Sequence, residues 1–196
     1  MQKIQTQGVH HITLIGADRQ TSIDFWEGVL GMPFVFEQPN LDDPSESHLY
    51  FDPGDGTLIT IFASEDRRPD RSPVPEAIGS LHHLAFNVSL ATYERAMRNL
   101  DDRGVQHSGR VDRGFMWSCY FRDPLGLRLE LACYKFELPP GVLPSRMMFE
   151  AHQIRVAAGD DHIDERHLAL ALEKVVREDA PSLSEDRAAK NPYKRT

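Results

Sequence analysis

Cysteine, positive charge and long apolar runs are all scarce in this sequence. Only Cys119 and Cys133 could form a disulfide, too few to staple a chain of 196 residues, so the pair reads as reduced thiols in a cytoplasmic protein. Lysine and arginine number 22 against 30 aspartate and glutamate, a formal charge of −8. That balance argues against nucleic acid or anionic lipid as a partner, because both are held through an excess of cationic side chains. No stretch approaches the roughly 18 apolar residues of a membrane span, and the opening MQKIQTQGVHH lacks the charged-then-apolar layout of an export signal. The expectation is a soluble, unexported protein. What is present is ordinary globular composition, 40% hydrophobic and 27% charged, which is enough to build a core and too apolar for a wholly disordered chain.

The chain repeats itself. Gly8-Val-His-His-Ile-Thr-Leu is answered by Ser80-Leu-His-His-Leu-Ala-Phe. After the first copy, apolar residues at helical spacing predict a helix over Arg19–Val29, closed by Gly31; after the second, Leu90–Arg103 is closed by Gly104. β-like runs follow each helix: Pro33–Phe36, Leu49–Phe51 and Leu58–Ala63, then Val105–His107, Ser118–Arg122 and Leu127–Ala132. The last two runs of each copy are joined by Pro/Gly turns, Asp52-Pro-Gly-Asp-Gly56 and Asp123-Pro-Leu-Gly126. Two β-α-β-β-β modules are therefore expected, over 1–65 and 80–134, with a Pro-rich charged linker over 66–79. The fold class is α+β. Residues 135–196 form an extension with a Pro-rich turn at Leu138–Pro144. An amphipathic helix near 161–178 follows, with Leu168, Leu172, Val175 and Val176 on one face, and from Ala180 onward a loose polar tail is expected.

Strand parity assigns the histidines of each pair to opposite faces. His82 travels with Leu84, Phe86 and Val88, an apolar stripe suited to packing under a helix, whereas His83 travels with Ala85 and Asn87. In the first copy His10 goes with Ile12 and Leu14, and His11 with Thr13. In the last strand Leu127, Leu129 and Leu131 share one face, leaving Glu130 on the other; aligning Gly56 with Gly126 puts Thr60 at the matching position of the first module. His11, His83 and Glu130 thus make a two-histidine, one-carboxylate set of the kind that holds a divalent metal on one side and leaves other positions open, which favours Fe(II), with Mn(II) next.

With those residues in view, the chain resembles members of the vicinal-oxygen-chelate superfamily, the paired-module group that includes glyoxalases, fosfomycin-resistance transferases and extradiol dioxygenases. The stretch GVHHITLIGADRQTSIDFWEGVLGM, followed by Asn40-Leu-Asp-Asp-Pro-Ser and His48-Leu-Tyr-Phe, is similar to the opening of hydroquinone-type ring-cleaving dioxygenases. Asp112-Arg-Gly through Trp117-Ser-Cys-Tyr-Phe-Arg-Asp-Pro to Glu130 is similar to the closing segment of extradiol enzymes. The resemblance implies iron held by His11, His83 and Glu130. It also implies a substrate hydrogen bond from Tyr120, support of an anionic ring by Arg113, acid or base work by His48, and a place for His10 and His82 near the pocket with Thr13. The last of these competes with the parity reading of His10 and His82. The chain departs from the family pattern at Asp112-Arg113-Gly114, where many extradiol enzymes have Asp-His-Gly, and in having two modules where such enzymes commonly have four.

The activity implied is Fe(II)-dependent opening of a catechol or hydroquinone-like ring with O₂, in a homodimer or higher homo-oligomer. Leu58, Phe62 and Trp117 would supply an aromatic wall. Two rivals stand beside it. One is a non-redox lyase, isomerase or thiol transferase on the same metal; the other is a non-catalytic protein that binds a small molecule.

Overall fold

The structure, a computed structural model, describes residues 3–179 and Tyr193. The polar tail expected from Ala180 onward lies outside the described residues apart from Tyr193. Contacts group the chain into two units, Met1–Val111 with Ser118–Ala132, and Asp112–Trp117 with Cys133–Thr196.

The first module runs β1 (His11–Ile15), α1 (Arg19–Trp26), β2 (Phe34–Pro39), β3 (Ser47–Phe51) and β4 (Leu58–Ala63). Its sheet has the order β1-β4-β3-β2, with β1 parallel to β4 and the other pairs antiparallel. Asp18 starts the helix: its carboxylate accepts from the Thr21 backbone N–H at 2.8 Å, satisfying a donor the first turn leaves open. Ser22, Phe25 and Trp26 recur at i, i+3 and i+4 and are buried. On the sheet, Leu49, Phe51, Ile59, Ile61 and Ala63 are buried as well, and Trp26 lies 6.4 Å from Phe51, ring centre to ring centre. Each large side chain so buried contributes roughly 1.5–3 kcal/mol.

The second copy runs β5 (Leu84–Asn87), α2 (Leu90–Asp102), β6 (Val111–Asp112), β7 (Met116–Arg122) and β8 (Arg128–Tyr134), with sheet order β5-β8-β7-β6 and β5 parallel to β8. The α+β reading and both β-α-β-β-β patterns hold. One strand was misplaced: Val105–His107 makes a single bridge from His107 to Phe121, and the ladder strand is Val111–Asp112. The reason is local, because Ser108 donates its backbone N–H to Tyr120 O and its hydroxyl accepts from Tyr120 N, which pins a turn where a strand would run on. Ser89 caps α2, and Tyr93, fully buried, donates its hydroxyl to Ser118 O at 2.7 Å.

The extension holds two helices where one was expected, α3 (Pro144–Ala158) and α4 (Glu165–Asp179). Pro144 was read as part of a turn, but it occupies the first turn of α3, where its missing N–H costs nothing. Met147, Met148, Phe149, Ala151, Ile154 and Val156 surround the helix axis without a narrow apolar stripe, so periodicity gave no signal. Met147 and Ala151 pack with Leu168 and Ala171 of α4. Val176, expected on the apolar face of α4, is exposed; Ala171 and His167 are buried there in its place. His167 is 1% exposed, with Nε2 at 2.8 Å from an Asp160 carboxylate oxygen and Nδ1 accepting from the Asp164 N–H at 3.0 Å.

Candidate metal centre

On the second sheet, Glu130 of β8 pairs in register with Ala85 of β5, and His83 directly precedes β5. Glu130 is 2% exposed, a position no carboxylate holds without partners. It has two: Oε2 lies 3.0 Å from His83 Nε2, and Oε1 accepts from the Ser118 hydroxyl of β7. The chain of contacts continues outward. His83 Nδ1 is 2.7 Å from His82 Nδ1, and His82 Nε2 is 2.9 Å from an Arg128 guanidinium nitrogen. A guanidinium only donates, so with both imidazoles neutral His82 Nε2 accepts from Arg128, His82 Nδ1 donates to His83, and His83 Nε2 donates to Glu130. Tyr120 meets the His83 ring edge to face at 5.9 Å.

On the first sheet, His11 opens β1, with Nδ1 at 2.8 Å from His10 Nδ1. Thr60, fully buried, donates its hydroxyl to Thr13 at 2.8 Å, the two residues being register partners. On β3, His48 Nδ1 and the Tyr50 hydroxyl are 2.8 Å apart, and the rings of Phe36, Tyr50, His48 and Phe62 follow one another at 3.9, 4.2 and 4.5 Å. His48 Nε2 is buried with no hydrogen-bond partner. Burial, and after it the charge of nearby His11, hold the His48 imidazole below its ordinary pKa, so it stays neutral at neutral pH.

The predicted residues therefore fall into three places. His82, His83, Tyr120 and Glu130 meet on the second sheet; His10, His11, Thr13 and His48 belong to the first; Arg113 sits in the turn between β6 and β7, in the second unit. Among the described residues, no three His, Cys, Asp or Glu side chains are gathered into a metal-binding group. The parity reading of His10 and His82 fails: both are exposed, because the ladders begin only at His11 and Leu84, and alternation does not extend past a strand's end. Trp117 belongs to the second unit. It has the parity of buried Cys119 and Phe121, opposite to Ser118 and Tyr120, and lies under the Lys135 ammonium at 4.1 Å.

Sequence reading missed Ser118 and the arginines around Tyr120. A cavity of about 500 Å³ opens beside Tyr120, lined in part by Phe25, Arg71, His107, Arg122 and Arg128. Ser118, Tyr120 and Arg122 alternate on β7 and share the parity that singled out Glu130 on β8, so the same rule could have found them. Arg71 lies in the linker, where no periodicity speaks.

The family model that matches, over residues 8–131, is described as the Glyoxalase/Bleomycin resistance protein/Dioxygenase superfamily. The chain belongs to this superfamily. Within the superfamily it is 31% identical over 131 residues to MhqO of Bacillus subtilis (strain 168), provisionally named a ring-cleaving dioxygenase, covering 65% of this chain and 40% of MhqO. It is 30% identical over 125 residues to the glutathione transferase FosA of Serratia marcescens, covering 64% of this chain and 79% of FosA. A crystal structure of a glyoxalase family protein from Enterococcus faecalis superposes with a TM-score of 0.53 at 28% identity, over 64% of this chain and 97% of that one. The chain spans well under half the length of the ring-cleaving relatives it matches. No helix among the described residues is long and apolar enough to cross a membrane.

Proposed function

We propose that this chain is a metal-dependent dioxygenase that opens a catechol or hydroquinone-like ring with O₂, in the cytoplasm and as a homodimer or higher homo-oligomer. The observation that carries the reading is the buried pairing of Glu130 with His83, flanked by Ser118 and Tyr120. The donors suit Fe(II) or Mn(II): an imidazole nitrogen and a carboxylate oxygen 3.0 Å apart, the carboxylate's other oxygen already held by a hydroxyl. His11 supplies the third donor, from the same chain or from a second copy. A bound Fe(II) would supply open positions for substrate oxygen and O₂ and a path for electrons between them.

The chain's own residues do the rest. Ser118 fixes the orientation of Glu130, and His82 fixes that of His83. Tyr120 presents a hydroxyl that can donate to a substrate oxygen. His48, kept neutral by burial and paired at Nδ1 with the Tyr50 hydroxyl, is the proposed acid or base. The stacked row of Phe36, Tyr50, His48 and Phe62 gives an aromatic wall against which a substrate ring can pack. Arg113, in the β6–β7 turn, is the proposed support for anionic charge.

A second reading has support of its own, since the chain covers 79% of FosA but only 40% of MhqO. On that reading the same donors hold a metal that polarises a substrate oxygen for thiol addition, without redox. The deciding experiment is O₂ uptake by protein loaded anaerobically with Fe(II) and offered catechols and hydroquinones, with ring-opened product followed by absorbance. Uptake that Glu130→Ala abolishes is the expected result. Iron bound stoichiometrically with no uptake across the panel would refute the dioxygenase reading in favour of the non-redox one.

A further inference from the structure

The cavity beside Tyr120 is lined by Arg71, Arg122 and Arg128 and, among the described residues, by no carboxylate. That is an unusual lining for a chain of formal charge −8, whose overall field repels anions. Three guanidiniums around about 500 Å³, that of Arg128 partly offset by Glu76, gather positive charge where a small molecule fits. Two of them are held by the fold. Arg122 donates to Gly126 O at 2.6 Å, and Arg128 is fixed by His82 at 2.9 Å, with Glu76 at 3.4 Å from its other nitrogen. The third, Arg71, is brought in by the linker, whose backbone presses against the β7–β8 turn: Val74 N–H donates to Gly126 O, and Ser72 O fills the space where a side chain at Gly126 would begin. The linker is thus stitched to the hairpin that carries Arg122. Tyr120 lines the cavity and touches His83, so the cavity adjoins the proposed metal centre.

We propose that this cavity receives a carboxylate, so that the ring opened by this chain carries an acid group, as in a dihydroxybenzoate. Arg71, Arg122 and Arg128 hold the carboxylate through charge-assisted hydrogen bonds, and the hydroxylated edge of the ring then points past Tyr120 toward His83 and Glu130. Phe25, which also lines the cavity, covers the ring. This inference rests on the ring-opening reading for what happens to the ligand, but the carboxylate site can be tested apart from it.

The test is calorimetric binding to the metal-free protein of two probes that differ by one carboxylate group, 2,5-dihydroxybenzoate and hydroquinone, with benzoate as a third. The acid is expected to bind about tenfold or more tightly than hydroquinone, the gain of one charge-assisted pair. Arg71→Gln should cut that ratio about tenfold and Arg71→Lys should restore part of it, with circular dichroism showing both variants folded. Equal affinity for acid and hydroquinone, or a ratio unmoved by Arg71→Gln in a folded protein, would overturn the proposal. Benzoate binding as tightly as the dihydroxy acid would overturn the placement of the hydroxylated edge at the metal centre. O₂ uptake by the Fe(II)-loaded protein separates the two readings: preference for the acid without uptake sinks ring opening and leaves the carboxylate site, whereas uptake with hydroquinone and no preference for the acid does the reverse.

Discussion

Gly56 and Gly126 occupy matching turns in the two modules, with φ of +85° and +82°, and differ in what surrounds them. A Cβ on Gly56 would meet nothing within 4 Å, whereas one on Gly126 would stand 1.8 Å from Ser72 O and 3.5 Å from Asp70 O. Alanine at either site is forced into the left-handed region at about 1–2 kcal/mol. Alanine at Gly126 must also push the linker backbone away, adding about 1–3 kcal/mol of the kind that overpacking costs. Gly56→Ala is therefore an internal control: it should lose about 1–2 kcal/mol, and Gly126→Ala about 2–5. Urea unfolding of both variants beside the wild type, followed by tryptophan fluorescence, measures the difference. Because the displaced segment carries Arg71, the preference for an acid ligand should fall in Gly126→Ala and persist in Gly56→Ala. Losses equal to within about 0.5 kcal/mol would refute the reasoning that the linker is clamped on that turn.

Further outcomes follow from two buried groups. The thiol of Cys119 is fully buried, and burial pushes its pKa from 9.0 up to about 11, so it should resist a thiol reagent at pH 8 in the native protein and react once unfolded. Between pH 9 and 11 the unfolded chain releases this proton while the folded one keeps it, so the Cys119 contribution to stability should fall as pH rises through that window, and Cys119→Ala should flatten the decline in a pH series of denaturation curves. In the helical extension, His167→Ala removes the imidazole that bonds both Asp160 and the Asp164 N–H, and should cost about 1–3 kcal/mol in thermal unfolding; an unchanged melting temperature would show that the pairing contributes nothing.

Much of the architecture was legible because it was written twice. The doubled histidines, the capped helices after them and the Pro/Gly turns gave both modules, and parity placed Glu130 on the face that the fold gives it. Parity misled where it was carried beyond the ladder, at His10 and His82, since alternation is a property of strand geometry and not of sequence spacing. Helix α3 was invisible for a different reason: its apolar residues lie all round, and the proline at the end of an apparent turn opens the helix. The arginines of the cavity come from a linker, a strand and a strand end, and only the folded chain brings them together.

The parallel pairing of β1 with β4 also bears on how the protein is made. Thr13 cannot find Thr60 until the whole first module has been synthesised, because β1 joins the sheet beside the module's last strand and not beside the next one. At roughly 5–20 residues per second on the ribosome, β1 waits several seconds unpaired while α1, β2 and β3 emerge. The second module repeats the delay, with β5 held open until β8 is complete. Each half of the protein therefore closes from its far end, and a stall in translation before Leu58 or Arg128 would leave an exposed strand edge with no partner of its own.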